Sequence, residues 1–447
     1  MAIDRRSVLG LSAGGAAGAL LPTPGRATPM PLGSLGLDVT HFGVNPGSPD
    51  DQTISLQRAI DASADARVPL WLPAGTYVVA DLLLPSGAQL FGIRGATRLL
   101  LGYGASIAGS SGADQVTLQG LIFDGGDKFL PDGRGLITLR NTRGVRILDC
   151  YLQESGGAGI ALFGVEGEVA STTIVGAAKG GIHAADSRGL IVSHNTIFNC
   201  GGSGIFVSRE QQGDDGTQLL ANRIERISGA SAEERGDGIL IQRAANVTAA
   251  DNGIRICDSS ALRAVGATNL HVRGNVAGTM GDFAILAEGN LDGAVISGNS
   301  VEDAGGGISI ADRAQSGRLV VCQGNLVRNL KRGDPAAGRG IGIAVEADSA
   351  ITGNVIEGAP LAGIIAGFGK GLRDVSVTGN VVRTAPIGIG VSAAPGAGSA
   401  LVAHNLITGA TTGAVVGMEN GKAVTGDLAR DETNRFAQIT VSGNRVR

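Results

Sequence analysis

From about Gln115 onward, apolar and polar positions recur in two alternating phrases. One phrase reads apolar-x-Gly-Asn-x-apolar, with its asparagine at 195, 222, 252, 275, 299, 325, 354, 380, 405 and 444. The other reads Gly-Ile-x-apolar, at Gly159-Ile160, Gly181-Ile182, Gly204-Ile205, Gly238-Ile239, Gly307-Ile308, Gly342-Ile343, Gly363-Ile364 and Gly388-Ile389. Leu262 and Ile285 fill the same slot without the glycine. Intervals between slots are often about 23 residues and lengthen where loops intrude, a period that outranks any local motif. Short runs with aliphatic residues at alternate positions predict strands that turn one face inward. Repeated once per winding, such strands stack on those of the next winding and bury one continuous core. The pattern predicts an all-β fold, a right-handed single-stranded parallel β-helix. The recurrent asparagine is expected in a tight turn, where asparagine tolerates unusual backbone angles. Its side chain is expected to hydrogen-bond up and down the stack. A leucine-rich repeat would need a fixed leucine frame, and a left-handed hexapeptide helix a six-residue period; neither is present.

Residues 38–100 depart from this rhythm. Asp50-Asp51-Gln52-Thr53 offers helix caps, and Leu56, Ala59, Ile60 and Ala64 follow at helical spacing. Laid across the first winding, this amphipathic helix would close a core end otherwise open to water. Strand-like Pro69–Tyr77, Leu82–Leu84 and Gln89–Gly92 come next. His41-Phe42-Gly43, Asp50-Asp51-x-Thr53, Gln57-x-Ala59-Ile60 and Leu72-Pro73-Ala74-Gly75-Thr76-Tyr77 resemble the N-terminal unit of the pectate-lyase superfamily. That superfamily includes polygalacturonase-like hydrolases, uronate lyases and tailspike depolymerases. Its usual Asp-Asp-Thr is interrupted here by Gln52.

Residues 1–27 read as a targeting segment. Asp4-Arg5-Arg6-Ser7-Val8-Leu9-Gly10 precedes a Gly/Ala-rich apolar stretch, and Gly25-Arg26-Ala27 gives a small-x-small cleavage pattern. An arginine pair before a weakly apolar run resembles a twin-arginine (Tat) signal, which implies a periplasmic or secreted protein handled by the Tat translocase during export. Residues 28–37 read as a linker and 101–447 as coils, with a long charge-rich insertion near 415–438 expected to fold back over the last coil. Signal, cap and coils together resemble the Tat-translocated repetitive β-helix proteins of bacteria. That resemblance implies fold and export and supplies no catalytic residues.

Composition narrows the chemistry. Net charge is −4, with no long Lys/Arg run. The basic footprint of a nucleic-acid or anionic-membrane partner is therefore missing. The apolar leader is too short to span a bilayer, so no integral membrane segment is expected in the mature chain. Cys150, Cys200, Cys257 and Cys322 include no C-x-x-C, which leaves zinc and thioredoxin-like chemistry unsupported. Cys200 and Cys257 hold the same place in repeats two windings apart, about 10 Å at the coil rise, too far for a disulfide. All four are expected as small core residues. No Ca²⁺ loop of the Gly-Gly-x-Gly-x-Asp type is present, and no metal or cofactor is expected.

With the isoleucine slot inward, two outward columns can be read along the Gly-Ile strands. The first holds Ala161, His183, Phe206, Leu240, Arg263, Leu286, Ser309 and Ala344; the second holds Phe163, Ala185, Ser208, Gln242, Val265, Glu288, Ala311 and Glu346. Resemblance to other β-helices implies that this sheet floors a polysaccharide groove. Arg263, Glu288, Asp312 and Glu346, on successive coils, are the candidate catalytic set. Glu288 and Glu346 would stand as an acid–base pair, Asp312 would raise a neighbour's proton affinity, and Arg263 would neutralise a uronate carboxylate. His183, Phe206, Gln242 and Arg313 are candidate substrate contacts. The competing reading is a solvated, salt-bridged face. Gln212-Gly213-Asp214-Asp215-Gly216 resembles the Asp-Asp element of polygalacturonases, but it falls in an insertion and is expected as a solvated turn. Other polygalacturonase motifs and the Asp-Pro-His-Glu signature of C5-epimerases are absent. The expected function is a lyase or glycoside hydrolase acting on polysaccharide, or a non-catalytic envelope protein that binds glycan or packs with a partner.

Overall fold

A computed structural model describes residues 36–229, 231, 234–311, 318–331, 339–430 and 436–447. The chain winds as a parallel β-solenoid of about 13 turns. Each typical coil contributes three strands, illustrated by Gly180–Ala185, Ile191–Ser193 and Thr196–Gly201. These strands pair in parallel with their counterparts one coil on, as in Ile182↔Ile205, Val192↔Leu219 and Ile197↔Ile224. Three ladders result: a first face carrying the Gly-Ile strands, a second face, and a third face that follows the asparagine. One hydrophobic cluster runs without a break from Val39 to Ile439.

The asparagine file is continuous. In each link the backbone N–H and the side-chain Nδ2 both donate to Oδ1 of the next asparagine, from Asn195 to Asn222 at 3.0 Å each and onward to Asn444 at 3.0 and 2.9 Å. Nδ2 also donates backward to a main-chain carbonyl, as from Asn299 to Val272 at 3.0 Å. Thr172 starts the file by donating its N–H to Asn195. The expected backbone role falls elsewhere: the left-handed residue is the one before each asparagine, such as His194, Ala221, Gly298 or His404, with φ from 53° to 64° in these four. The asparagine itself is needed for its amide, which satisfies buried backbone groups that the turn leaves unpaired.

The N-terminal helix spans Thr53–Ala66 and buries Leu56, Ala59, Ile60, Ser63 and Ala64 against the first coils. Gln52 occupies its cap position without a capping bond; Asp51 Oδ1 takes the Thr53 N–H at 2.8 Å instead. Gln52 Oε1 is already used by the Asn45 N–H at 2.6 Å. At the other end, Gly413–Glu419 turns back into an antiparallel hairpin with Lys422–Asp427, and Leu428, Ala429 and Phe436 pack on the core. The four cysteines are free and buried, and Ile227 separates Cys200 from Cys257 in their ladder. Burial pushes their thiols up, to about 11 for Cys200 and about 12 for the others. No helix among the described residues is long and apolar enough to cross a membrane. The targeting segment and the linker as far as residue 35 lie outside the described residues.

Candidate functional site

The first face stacks the two outward columns in the order read from the sequence. Ala161, His183, Phe206, Leu240, Arg263, Leu286, Ser309 and Ala344 are successive ladder partners. So are Phe163, Ala185, Ser208, Gln242, Val265, Glu288 and Ala311. Glu346 immediately follows the strand Ile341–Val345, half-buried two coils beyond Glu288. Asp312 and Arg313 lie outside the described residues.

An apolar ridge rises at the N-terminal end of these columns. The Arg140 guanidinium lies 3.9 Å over the Phe163 ring, Phe163 meets His183 edge-on at 5.7 Å, and His183 stacks flat on Phe206 at 4.7 Å and 10°. The His183 and Phe206 rings face each other along the stack, so they turn edges outward and form a wall. Burial among these rings holds the His183 pKa below its ordinary value. The imidazole is thereby kept neutral and serves as a ring of the stack.

Beyond Leu240, charge replaces the ridge. Arg263 reaches one coil forward to Glu288, with Nε and Nη2 at 2.8 and 2.7 Å from Oε1. On its other side, Nη1 lies 3.8 Å from Asp237 Oδ2. Asp237 is fully buried and accepts the Ser260 N–H at 3.1 Å through Oδ1; Oδ2 has no hydrogen-bond partner. Desolvation raises its pKa, opposed by the nearby Ser259 hydroxyl, by the Ser260 N–H and by the charges of Arg263 and Arg235. A second ionic group adjoins: Asp282 pairs with Arg235 and lies 3.9 Å from Arg339. The Arg263 and Glu288 side chains are 18% and 35% exposed, while that of Asp237 beneath them is at 1%.

Of the residues proposed from sequence, Arg263 and Glu288 are brought into contact, as are His183 and Phe206. Gln242 is half-buried between Ser208 and Val265 on the ladder. Glu288 turns back toward Arg263, away from the coil that carries Glu346. The carboxylate sharing Arg263 with it is Asp237, which the sequence reading missed. A signal was present. Two residues before the aliphatic slot, successive coils carry Ala158, Gly180, Ser203, Asp237, Ser260, Phe283, Gly306 and Ile341, and Asp237 is the one charge. Arg140 was missed because it precedes the columns considered. The Asp-Asp element is solvated at Gln212 and Asp214, as expected, but it begins on a strand rather than in a turn and its second aspartate is not solvated. Ser203–Asp214 is one long strand with a bulge between Ser208 and Gly213, and Asp215 is buried. Asp215 turns inward because Thr217 donates both its N–H and its hydroxyl to Oδ1, while Arg209 Nη1 lies 3.7 Å from Oδ2. Among the described residues, no group of three or more metal-ligating side chains converges.

The sequence matches the model of the right handed beta helix region over residues 103–277 and 222–382. No curated protein matches it. Among solved structures, the A-module of mannuronan C-5 epimerase AlgE4 from Azotobacter vinelandii is similar at 18% identity and TM-score 0.56, over 79% of this chain and 97% of that one. The AlgE6 A-module of the same organism gives 16% and 0.50, over 92% and 99%. The pre-mature gene product 12 of bacteriophage phi29 gives 14% and 0.53, over 88% and 58%. At these identities the likeness is one of fold.

Proposed function

The chain belongs to the right-handed β-helix family, and from that premise we propose that its first face engages a polysaccharide outside the cytoplasm. The observation that carries the reading is the Arg263–Glu288 pair, which stands at the end of an apolar ridge and is anchored from beneath by buried Asp237. His183, Phe206, Leu240 and Arg263 lie on one outward column with Phe163 and Glu288 on the column beside it, and Phe206 and Arg263 are two coils apart, about 10 Å at the coil rise. Apolar surface beside fixed polar groups is the usual make-up of a site for a ligand with ring C–H faces and hydroxyls. The mannuronan epimerases among the structural neighbours act on a polysaccharide with this same architecture. Fold alone hosts many activities, so the site must carry the function.

In this reading Arg263 and Glu288 touch the substrate. Glu288 supplies the acid–base group of a lyase or hydrolase type reaction, and Arg263 binds a uronate carboxylate or sugar hydroxyls. Asp237 is a positioning residue: fully buried, it holds the guanidinium in one orientation. The apolar wall of Phe163, His183, Phe206 and Leu240 excludes water along one side of the sugar. A second reading, glycan binding without turnover, is favoured by one observation: Arg263 already has a carboxylate on each side.

A panel of acidic and neutral polysaccharides separates the two, followed by the ultraviolet absorbance of unsaturated uronates, by new reducing ends and by calorimetric binding. Turnover is expected on one glycan class. Glu288→Gln should then lower the rate by at least about 100-fold, and Arg263→Ala should weaken binding by about tenfold or more. Binding without turnover selects the second reading. Full activity and affinity in both variants, or no binding to any glycan, removes the groove.

A further inference from the structure

The third face carries a pattern that neither groove nor core requires. Its two outward positions form two files along the stack. One file reads Val276, Ser300, Leu326, Val355, Val381, Leu406. Val276, Leu326 and Val355 are 55%, 37% and 39% exposed. Further back the same file holds Ile122 and Tyr151 and then Thr173, Thr196, Arg223 and Gly253, so the long apolar run belongs to the later coils. The parallel file reads Gly278, Glu302, Arg328, Glu357, Arg383, Thr408, with signs alternating through its four central members. Glu302 takes a 2.8 Å bridge from Arg328. Glu357 and Arg383 have no ion partner among the described residues, although they are ladder neighbours.

We propose that this face is a self-association surface on which two copies of the chain pack with their coil axes antiparallel. A face-to-face pair needs a two-fold axis lying in the interface. An axis along the strands reverses the coil order and sets each file against itself. Centred between the coils of Leu326 and Val355, it places Leu326 on the second copy's Val355, Ser300 on Val381 and Val276 on Leu406. The same centre places Glu302 opposite Arg383 and Arg328 opposite Glu357, which makes four interfacial ion pairs. The flanking residues agree. Gly298 meets Gly379 and Gly324 meets Gly353, so the backbones can approach closely. An axis along the coils would instead set the apolar file on the charged one. Both files thus satisfy one operator about one centre, and the coil rise gives both copies the same spacing. Complementarity ends one coil further out, where Arg255 would meet Arg447, so the contact is confined to six coils.

Five steps of about 4.8 Å give a contact some 25 Å long, and with two files plus flanks it falls short of the roughly 800 Å² per partner of a standard interface. A reversible, salt-sensitive dimer is therefore expected, formed at about micromolar concentrations or above. The groove lies on another face and stays open in the dimer.

Sedimentation velocity on the full chain across a concentration series tests this. The average mass should rise from one chain toward two, and less so at high salt. Glu357→Arg sets like charges across the axis and should weaken the dimer by at least about tenfold. The double variant R328E/E357R gives up the alternation along the file but again sets opposite charges across the axis of antiparallel copies, and should restore the dimer. Leu326→Asp should abolish it. Monomer at every concentration overturns the proposal. So does a dimer indifferent to Glu357→Arg, or a double variant as weak as the single. Glycan binding by these variants should match the unaltered chain, which keeps this result separate from the groove's.

Discussion

His183 shows how a single side chain is set by its place in a stack. Its ring is packed between Phe163 and Phe206, and burial lowers its pKa below 6.5. A histidine depressed in the folded state stabilises the fold above its unfolded pKa, and that contribution is lost as pH falls through the folded value. Between about pH 8 and pH 5, the melting temperature of the unaltered chain is therefore expected to fall. The fall should be smaller in His183→Phe, which keeps the stack without the titration. Equal pH slopes in the two proteins would contradict the assignment. Alternation alone put His183 and Phe206 in one outward column, because a strand's side-chain period is fixed. That His183 would meet Phe163, and Phe163 in turn Arg140, was not legible, since those two residues belong to the neighbouring column. Asp237 was the deeper omission. Its partners Ser260 and Arg263 lie one coil on, and only stacking converts a separation of 23 or 26 residues into contact.

At the scale of the element, the turn file is the device that keeps the coils in register. Each asparagine between the ends of the file accepts two hydrogen bonds from one neighbour and donates two to the other, and all but the last of the file are buried. Asn299→Ala would orphan the buried Asn275 N–H, take one of two acceptors from Asn275 Nδ2 and leave the Val272 carbonyl short of a donor on the preceding coil, and it would take one of two donors from Asn325 Oδ1 on the next. A loss of about 2–3 kcal/mol in denaturant unfolding is expected. Asn444→Ala, at the half-exposed end of the file, should cost under about 1 kcal/mol. A uniform small cost along the file would mean that the amides are solvated. The left-handed residue before the asparagine could not be assigned from composition, because histidine, alanine, aspartate and glycine all occupy it. The coil geometry imposes that angle, and the residue type only modulates its cost.

For the whole molecule, a solenoid distributes its stability along an axis and closes at two ends. The helix Thr53–Ala66 closes one, and the hairpin with Leu428, Ala429 and Phe436 covers the other. Such a chain can fold without disulfides before it moves, which suits export in the folded state. The proposed route rests on Arg5 and Arg6, and R5K/R6K is expected to hold the protein in the cytoplasm on cell fractionation. Unchanged export would discard the Tat route while leaving the fold intact. Local periodicity by itself determined the strand faces, the coil repeat, the inward aliphatics, the capping helix and the outward columns, because each follows from side-chain direction along one stretch of chain. Tertiary structure alone decided which charges meet. Asp237 came to lie beneath Arg263, Glu288 turned one way rather than the other, Asp215 went inside, and the third face acquired matched files. Those outcomes depend on residues a coil apart, and insertions of unequal length between coils hide that spacing until the strands are stacked.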